Sequence, residues 1–373
     1  MQTERGRGRG TRFAAACALA WVLGCASPMK TGWRAYDGQD FAGALAAWQP
    51  LAERGEADAQ YLVGLLHDEG RGMPRDAAEA ARWYALAAEQ GHPAAQNNLG
   101  LLYFTGEGVE RSQELAAVWI QRSAAQGFHS GLANLGVMQI GGHSLPQDVP
   151  GGLAHVEAAA RQGDVKAQKL LASLYEEGRS VPLDLAQAAQ WYEMAADQGD
   201  VDSQVRLARM HLDGQGVALS SAAALRWLRQ AAESGLVEAQ FSVGWMTLRG
   251  EGTRADPIEA AAWLERAAEQ GFARAQAQVG LMYAQGVGVA ADASRAEHWL
   301  RAAAEQGVAS AQLNLALILM RGDGVERDER AAELWLRRAA AQGLDAAHER
   351  LAALERARDA EGQRIAGRSA TTR

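Results

Sequence analysis

Apolar residues recur along most of the chain at the three- and four-residue spacing of an α-helix. They form two alternating kinds of short run. Val63 and Leu66 belong to a run of the first kind, and Ala80, Trp83 and Ala87 belong to a run of the second. Glycine-containing turns separate the runs, and no stretch shows a sustained alternation of Val, Ile or Thr with polar residues. The pattern predicts an all-α chain built from helical hairpins.

A glycine follows each second run, and it recurs every 36 residues without a slip. The series is Gly55, Gly91, Gly127, Gly163, Gly199, Gly235, Gly271, Gly307 and Gly343. Gln60 and Trp83 have counterparts at the same period in most units. The period defines eight units, from 56–91 to 308–343, and predicts a solenoid in which each hairpin packs on its neighbours.

Small and polar residues mark where the helices begin, end and approach each other. Gly70-Arg71-Gly72 separates the two helices of a hairpin and allows the positive φ at which a helix ends. Asp76 follows as the N-cap of the second helix. A small residue recurs at the Gly64 position of the first helix, and we expect two helices to lie close together there. We expect the tryptophans to fill the space opposite.

The repeated motif resembles that of a known family. It reads A-x-x-W-(Y/L)-x-x-A-A-(E/D)-Q-G in 80–91, then A-x-Q-x-x-(L/V)-G-x-x-(Y/H) and Gly-x-Gly in 94–108. This is similar to the Sel1-like repeat, a relative of the tetratricopeptide repeat, over about 34–355. The resemblance implies an all-α fold, a right-handed α-solenoid superhelix of about eight 36-residue hairpins. It also implies a scaffold that binds protein partners.

The ends of the repeat region resemble only parts of a unit. We expect an N-terminal capping half-repeat at 34–55, eight repeats at 56–343 and a C-terminal capping helix at 344–361. The segment 362–373 has one large apolar residue and is expected to be a disordered tail.

The first residues have the layout of a bacterial export signal. Four arginines precede the apolar run 13–23, which is too short to span a bilayer, and the run is followed by Gly24-Cys25. This junction resembles a lipobox and predicts a signal peptide at 1–24, lipidation of Cys25 and a short tether at 25–33. A plain signal peptide followed by a chance cysteine is the alternative. Ala26 after the cysteine favours an outer-membrane lipoprotein facing the periplasm over a soluble periplasmic or secreted protein.

Charge and motifs argue against several classes of function. Removing 1–24 takes away four arginines and Glu4, so the formal net charge of −8 becomes −11, which disfavours nucleic-acid partners. The sequence has no G-x-S-x-G, H-E-x-x-H, C-x-x-C or phosphate-binding loop with its lysine. His129-Ser130 has the wrong spacing for a nucleophile. We therefore expect no catalytic residue, metal or cofactor.

Unit 128–163 departs most from the pattern. His155 replaces the tryptophan, Leu132 replaces the glutamine, and Gly151-Gly152 weakens the second helix. Drift in one repeat and a hinge or docking site are both compatible with these changes.

The candidate partner-binding site is a stripe on successive first helices. Three positions that vary between units lie four and three residues apart, so they share one helix face. They hold Lys169, Ser173 and Glu176 in one unit but become apolar later in the chain. The apolar members are Phe241, Trp245, Leu248, Leu281, Leu313, Leu317 and Met320, with Arg206 at the rim. A tightly wound superhelix that buries these side chains against one another is the alternative.

Three functions are compatible with the sequence. The first is a non-enzymatic envelope scaffold or adaptor that binds protein partners in secretion, polysaccharide export or cell-wall assembly. The second is a periplasmic regulator that binds a sensor protein. The third is a hydrolase of cell-wall or β-lactam substrates. The sequence lacks the cysteine pairs of secreted relatives to which a β-lactam activity has been ascribed.

Overall fold

The computed structural model describes residues 27–322, 324–356 and 360. All regular secondary structure in this part of the chain is helical. The helices are α1 (Pro28–Asp37), α2 (Phe41–Glu53), α3 (Ala57–Glu69), α4 (Ala77–Glu89), α5 (Pro93–Thr105), α6 (Gln113–Ala125), α7 (His129–Gly141), α8 (Val149–Arg161), α9 (Val165–Glu177), α10 (Leu185–Asp197), α11 (Val201–Asp213), α12 (Ser221–Glu233), α13 (Val237–Arg249), α14 (Pro257–Glu269), α15 (Ala273–Gln285), α16 (Ala293–Glu305), α17 (Ala309–Arg321) and α18 (Glu329–Ala341). A further helical segment covers 345–356.

The hairpins follow the predicted turn and cap positions. Gly70 ends α3 with a φ of 64°, and the Asp76 carboxylate accepts a 2.9 Å hydrogen bond from the Glu79 N–H at the start of α4. The hairpins from α5/α6 to α17/α18 repeat this arrangement with Asp or Ser as the N-cap of the second helix. The chain divides into two compact units, unit 1 at Met1–Asp200 and unit 2 at Val201–Arg373.

The small residues of the first helices, such as Gly64, lie against the second helix. They contact the residue that directly follows the tryptophan there. A Cβ on Gly64 would lie 2.8 Å from the Tyr84 ring, and one on Gly280 would lie 2.7 Å from Leu300. The expectation that the tryptophans lie opposite the small residues was therefore wrong. One residue turns a helix by about 100°, so Trp83 points elsewhere and packs against the core cluster that α2 and α3 form.

The N-terminal cap is a complete hairpin, which corrects the predicted half-repeat and tether. Pro28 opens α1, so the proposed tether at 25–33 overlaps a helix. Trp48 of α2 is fully buried, and a Cβ on Gly32 of α1 would collide with its indole. Its Nε1–H donates to the Met29 carbonyl at 3.3 Å. Gly32 and Trp48 therefore repeat the relation of Gly64 and Tyr84.

The other end of the repeat region carries a helix in the predicted position. Ala347 is fully buried, and Leu351 and Leu354 pack against the last core cluster. The predicted signal peptide, Cys25 and the predicted tail at 362–373 lie outside the described residues.

Within each compact unit, a buried glutamine joins most of the hairpins to the one before. The Gln276 side-chain amide donates to the Ala268 carbonyl at the end of α14, and its Oε1 accepts a 2.7 Å hydrogen bond from Gln306. The same pattern recurs at Gln60, Gln96, Gln168, Gln240 and Gln312. These bonds engage carbonyls at a helix C-terminus, where partners within the helix are lacking. Ser234 replaces the second glutamine in one repeat, and Gln204 donates to Gln230 there.

The unusual repeat around α7 and α8 has its own close packing. A Cβ on Gly152 would lie 2.7 Å from the Gly136 carbonyl oxygen, so this glycine permits a close helix approach in addition to weakening α8. His155 Nδ1 lies 2.8 Å from the Gln139 Oε1. Ser144 adopts a φ of 64°, a left-handed conformation that favours glycine. This repeat thus holds one of the two described non-glycine residues with a positive φ, and its role as a hinge stays a prediction.

Candidate partner-binding face

Trp245 of α13 is the most exposed aromatic residue of the predicted stripe. Its exposed fraction is 36%, although it stacks on Phe241 with ring centroids 6.1 Å apart. Phe241 in turn lies 5.2 Å from the Phe272 ring, and the Arg249 guanidinium lies 5.8 Å from the centre of the Trp245 ring. Trp245 thus packs on the Phe241 ring, and part of its indole is exposed to solvent.

A cleft of about 300 Å³ lies beside Trp245, within unit 2. Helices α11 and α13 supply most of its wall, and Leu228 of α12 also contributes. The lining residues are Val205, Ala208, Arg209, Leu212, Leu228, Phe241, Ser242, Trp245, Met246 and Glu251. A mostly apolar wall with a few polar groups is typical of a binding site for a ligand or peptide side chain.

Two exposed charges border the cleft and are paired locally. Arg209 lies 3.5 Å from Asp213, and Glu251 lies 2.8 Å from Arg249. These pairs are largely solvent-exposed, and such pairs contribute little to folding stability. The charged groups therefore remain able to exchange partners when a ligand enters.

The other predicted stripe residues lie on the same series of helices but do not line the cleft. Leu248 packs against the core cluster that α14, α15 and α16 form. Leu313 and Met320 of α17 pack against the last core cluster, and Leu281 of α15 and Leu317 of α17 are half-buried. Arg206 is half-buried on α11 and is not a lining residue. The structure thus brings together Phe241 and Trp245, with the remaining apolar residues continuing the face along α15 and α17.

The sequence prediction missed the opposite wall of the cleft. Val205 and Leu212 occupy the same positions as Phe241 and Leu248, one 36-residue repeat earlier. Leu212 is 41% exposed. Arg209 lies between them and interrupts the apolar stripe. The sequence pattern of α11 therefore did not indicate an apolar face.

The family model described as Sel1 repeat matches eight consecutive segments of the chain: 57–92, 93–128, 129–164, 165–200, 201–236, 237–272, 273–308 and 309–344. The chain belongs to the Sel1 repeat family. The matched segments begin one residue after the units defined by the glycine period. The predicted all-α solenoid of Sel1 repeats is confirmed.

Two solved structures are similar over most of their length. The first is c5321 from uropathogenic Escherichia coli, a protective antigen with an SLR fold. It is 32% identical, with 87% of this chain and 78% of that chain covered and a TM-score of 0.57. The second is a Sel1 repeat protein from Oxalobacter formigenes. It is 34% identical, with 83% and 90% covered and a TM-score of 0.50. No curated protein matches the chain.

Other polar clusters in the Sel1 array have structural explanations. Asp164 caps α9 through the Ala167 N–H, and its Oδ2 lies 2.8 Å from His129 Nδ1. Burial alone would raise the pKa of Asp164, but the hydrogen bonds from His129 and Ala167 outweigh it and hold the pKa below its usual value. Ser130 approaches the same ring nitrogen as Asp164, whereas a nucleophilic triad needs the serine on the opposite nitrogen.

The described part of the Sel1 array has no cluster of three or more side chains suited to a metal ion. None of its described helices is both long and apolar enough to cross a bilayer.

Proposed function

We propose that this Sel1 repeat protein is a non-enzymatic adaptor that binds a segment of a protein partner in the α11–α13 cleft. The exposure of Trp245 beside an apolar cleft is the observation that carries the proposal. Tryptophan is favoured at the energetic centre of protein interfaces because it offers a large contact area with few rotatable bonds. The family supports the class of function, since Sel1 arrays typically serve as scaffolds for protein interactions. The apolar face that continues along α15 and α17 would contact the remainder of the segment.

The partner can be found and the site tested with one pair of experiments. A photo-crosslinking amino acid at Ser242, on the cleft wall, should trap the partner in intact cells. With that partner purified, Trp245→Ala is expected to weaken binding by about 2 kcal/mol or more, roughly 30-fold, because a buried aromatic anchor is lost. The melting temperature of the chain should stay nearly unchanged.

Trp227→Ala is the matched comparison, because Trp227 is 2% exposed and belongs to the core of the same unit. This variant should lower the melting temperature strongly. Unchanged affinity in Trp245→Ala, or a melting temperature as low as that of Trp227→Ala, would show that Trp245 is a core residue and would remove the proposed site.

We further propose that the adaptor works in the bacterial envelope, anchored to the outer membrane through acylated Cys25. The basic start, short apolar run and Gly24-Cys25 junction support this location. Metabolic labelling with a clickable fatty acid should mark the parent chain and the Cys17→Ser variant, because Cys17 lies inside the predicted signal peptide. The Cys25→Ser variant should take up no label.

Label retained by Cys25→Ser would contradict the anchor. Recovery of the native chain in the soluble periplasmic fraction would favour the alternative function, a periplasmic regulator that binds a sensor protein through the same cleft.

A further inference from the structure

Helix α1 places a second exposed tryptophan at the repeat position held by Trp245 in unit 2. Gly32 opposes Trp48 as Gly64 opposes Tyr84, so α1 aligns with α3 at these two glycines. Trp33 then occupies the position of Leu65 in α3. The same position holds Leu101 in α5 and Val137 in α7. We call these four residues, Trp33, Leu65, Leu101 and Val137, the unit 1 stripe.

The unit 1 stripe is an exposed apolar surface. Trp33 is 38% exposed, Leu101 37% and Val137 45%, while Leu65 is half-buried. Large apolar side chains at one position of successive helices form a contiguous patch, and such patches on soluble proteins mark interaction sites.

Hydrogen bonds show that the first helices of unit 1 are neighbours. The Tyr36 hydroxyl of α1 donates to Glu69 of α3 at 3.5 Å, and the Asn134 amide of α7 donates to Asn97 of α5 at 2.7 Å. Packed helices lie about 8–10 Å apart, so a stripe over four of them is roughly 25–30 Å long. That length matches a helical segment of about 18 residues.

The unit 1 stripe ends within unit 1. The next first helix, α9, carries Ser173 at the equivalent position, with Lys169 and Glu176 beside it. Lys169 lies 3.2 Å from Asp200, and Ser173 donates to a carbonyl of its own helix. The unit 1 stripe itself is thus confined to α1, α3, α5 and α7.

The C-terminal ends of α1 and α3 give one edge of the stripe a negative charge. Asp37 is the last residue of α1 and Glu69 the last residue of α3, and both are exposed. Carboxylates at this end of a helix add to the negative end of its dipole, an arrangement that favours a cation nearby. Arg71 lies 2.6 Å from Glu69, but Asp68 and Glu107 are also at this edge and share Arg75 between them. With Arg111 beside the end of α5, four carboxylates therefore face three guanidinium groups at this edge.

The corresponding edge in unit 2 has a different charge. The last residues of α11, α13, α15 and α17 are Asp213, Arg249, Gln285 and Arg321, and Arg249 is paired with Glu251. The other cations of α1, Lys30 and Arg34, align with the buried Leu62 and Leu66 of α3. They therefore lie on the end of the array, away from the stripe.

We propose that the unit 1 stripe is a second docking surface, separate from the cleft of unit 2, for an amphipathic protein segment that carries Lys or Arg along one edge. Its apolar side covers Trp33, Leu65, Leu101 and Val137, and its cations lie against Asp37 and Glu69. Together with the cleft, the chain then holds two segments of different charge, as an adaptor that joins two partners requires.

Two fluorescent 18-residue model helices test the proposal, one built from Leu and Lys and the other from Leu and Glu. The full chain carrying Cys25→Ser, so that no lipid is attached, is titrated against each while the anisotropy is measured. The Leu/Lys helix should bind more tightly than the Leu/Glu helix. Leu101→Ser should weaken its binding at least tenfold, and so should the double variant Asp37→Lys with Glu69→Lys.

Matched variants on the second helices distinguish binding at the stripe from attraction of the Leu/Lys helix to the acidic protein as a whole. Leu115 of α6 is 42% exposed, and Glu89 is an exposed carboxylate at the end of α4. Leu115→Ser and Glu89→Lys should leave the affinity for the Leu/Lys helix unchanged, and circular dichroism should show each variant folded. Equal weakening by these controls, or equal binding of the two helices, would overturn the proposal.

Two further measurements test which molecule binds the unit 1 stripe. A parent dimer in sedimentation equilibrium that Leu101→Ser dissociates would assign the stripe to a second copy of this chain and refute a separate partner. Trp245→Ala should bind the Leu/Lys helix as the parent does, so failure of the cleft proposal leaves this test intact. A large loss of affinity in Trp245→Ala would place the helix in the cleft and refute the second surface.

Discussion

Replacing Trp48 with alanine should release the N-terminal hairpin from the rest of unit 1. Trp48 is fully buried and contacts α1 at Gly32 and through the hydrogen bond to the Met29 carbonyl. Its removal loses a large apolar side chain and leaves a cavity, a change that costs about 3–5 kcal/mol in protein cores. Native-state hydrogen exchange should show the amides of α1 losing their protection, while α5 to α8 keep theirs, because repeat arrays open locally.

Trp33→Ala is the control, since Trp33 is 38% exposed and contacts the same indole from the edge. Its effect on the free energy of opening should be about 1 kcal/mol or less. Full protection of α1 in Trp48→Ala would mean that α1 does not depend on this contact, and the hairpin assignment would be wrong.

The second large effect is expected at Gln276, in the middle of unit 2. Gln276→Ala removes the bond to the Ala268 carbonyl and the bond from the Gln306 amide, which keeps its donation to the Gly271 carbonyl. Two hydrogen bonds are lost at about 1 kcal/mol each, so we expect the free energy of unfolding to fall by about 1–2 kcal/mol. Urea unfolding followed by circular dichroism measures the change. Gln278→Ala, at a half-buried position of the same helix, should change stability by less than about 0.5 kcal/mol.

A double-mutant cycle tests whether the two glutamines act as a pair. Gln276→Leu introduces the residue that the unusual repeat carries as Leu132, and Gln306→Leu removes the second member. If the pair is energetically linked, the double variant should be more stable than the sum of the single effects predicts, by about 1 kcal/mol. Additive effects would show that the two side chains contribute independently.

The repeats were predictable from sequence because each one satisfies the same local and tertiary requirements. Gly70 ends a helix, Asp76 begins one and Gly64 permits a close approach, so turn chemistry and packing point to the same hairpin. Helix α1 was not predicted because its link to α2 lacks Gly-x-Gly. Gln39 adopts the positive φ there, at 63°, and a glutamine gives no turn signal.

The site was only partly predictable because periodicity locates a helix face but not its neighbours. The sequence placed Phe241 and Trp245 on one face, and the structure shows that they form one side of a cleft. The opposite side depends on how α11 packs against α13, and an arginine at the repeat position hid its apolar residues. For the same reason, Trp83 and Tyr84 could not be distinguished as the residue facing Gly64, because adjacent apolar positions both suit a core.

The glutamine pairs also favour changes of chain length by whole 36-residue repeats. Both members of each pair belong to one repeat, and the first also reaches the last turn of the preceding second helix. Excision of 237–272 would remove one complete pair and leave Gln276 to bond the equivalent carbonyl of Ala232. An insertion or deletion of another length between such a glutamine and its carbonyl would separate the two groups. Gene duplication or loss in whole repeats is therefore the route along which this array can grow or shrink during evolution.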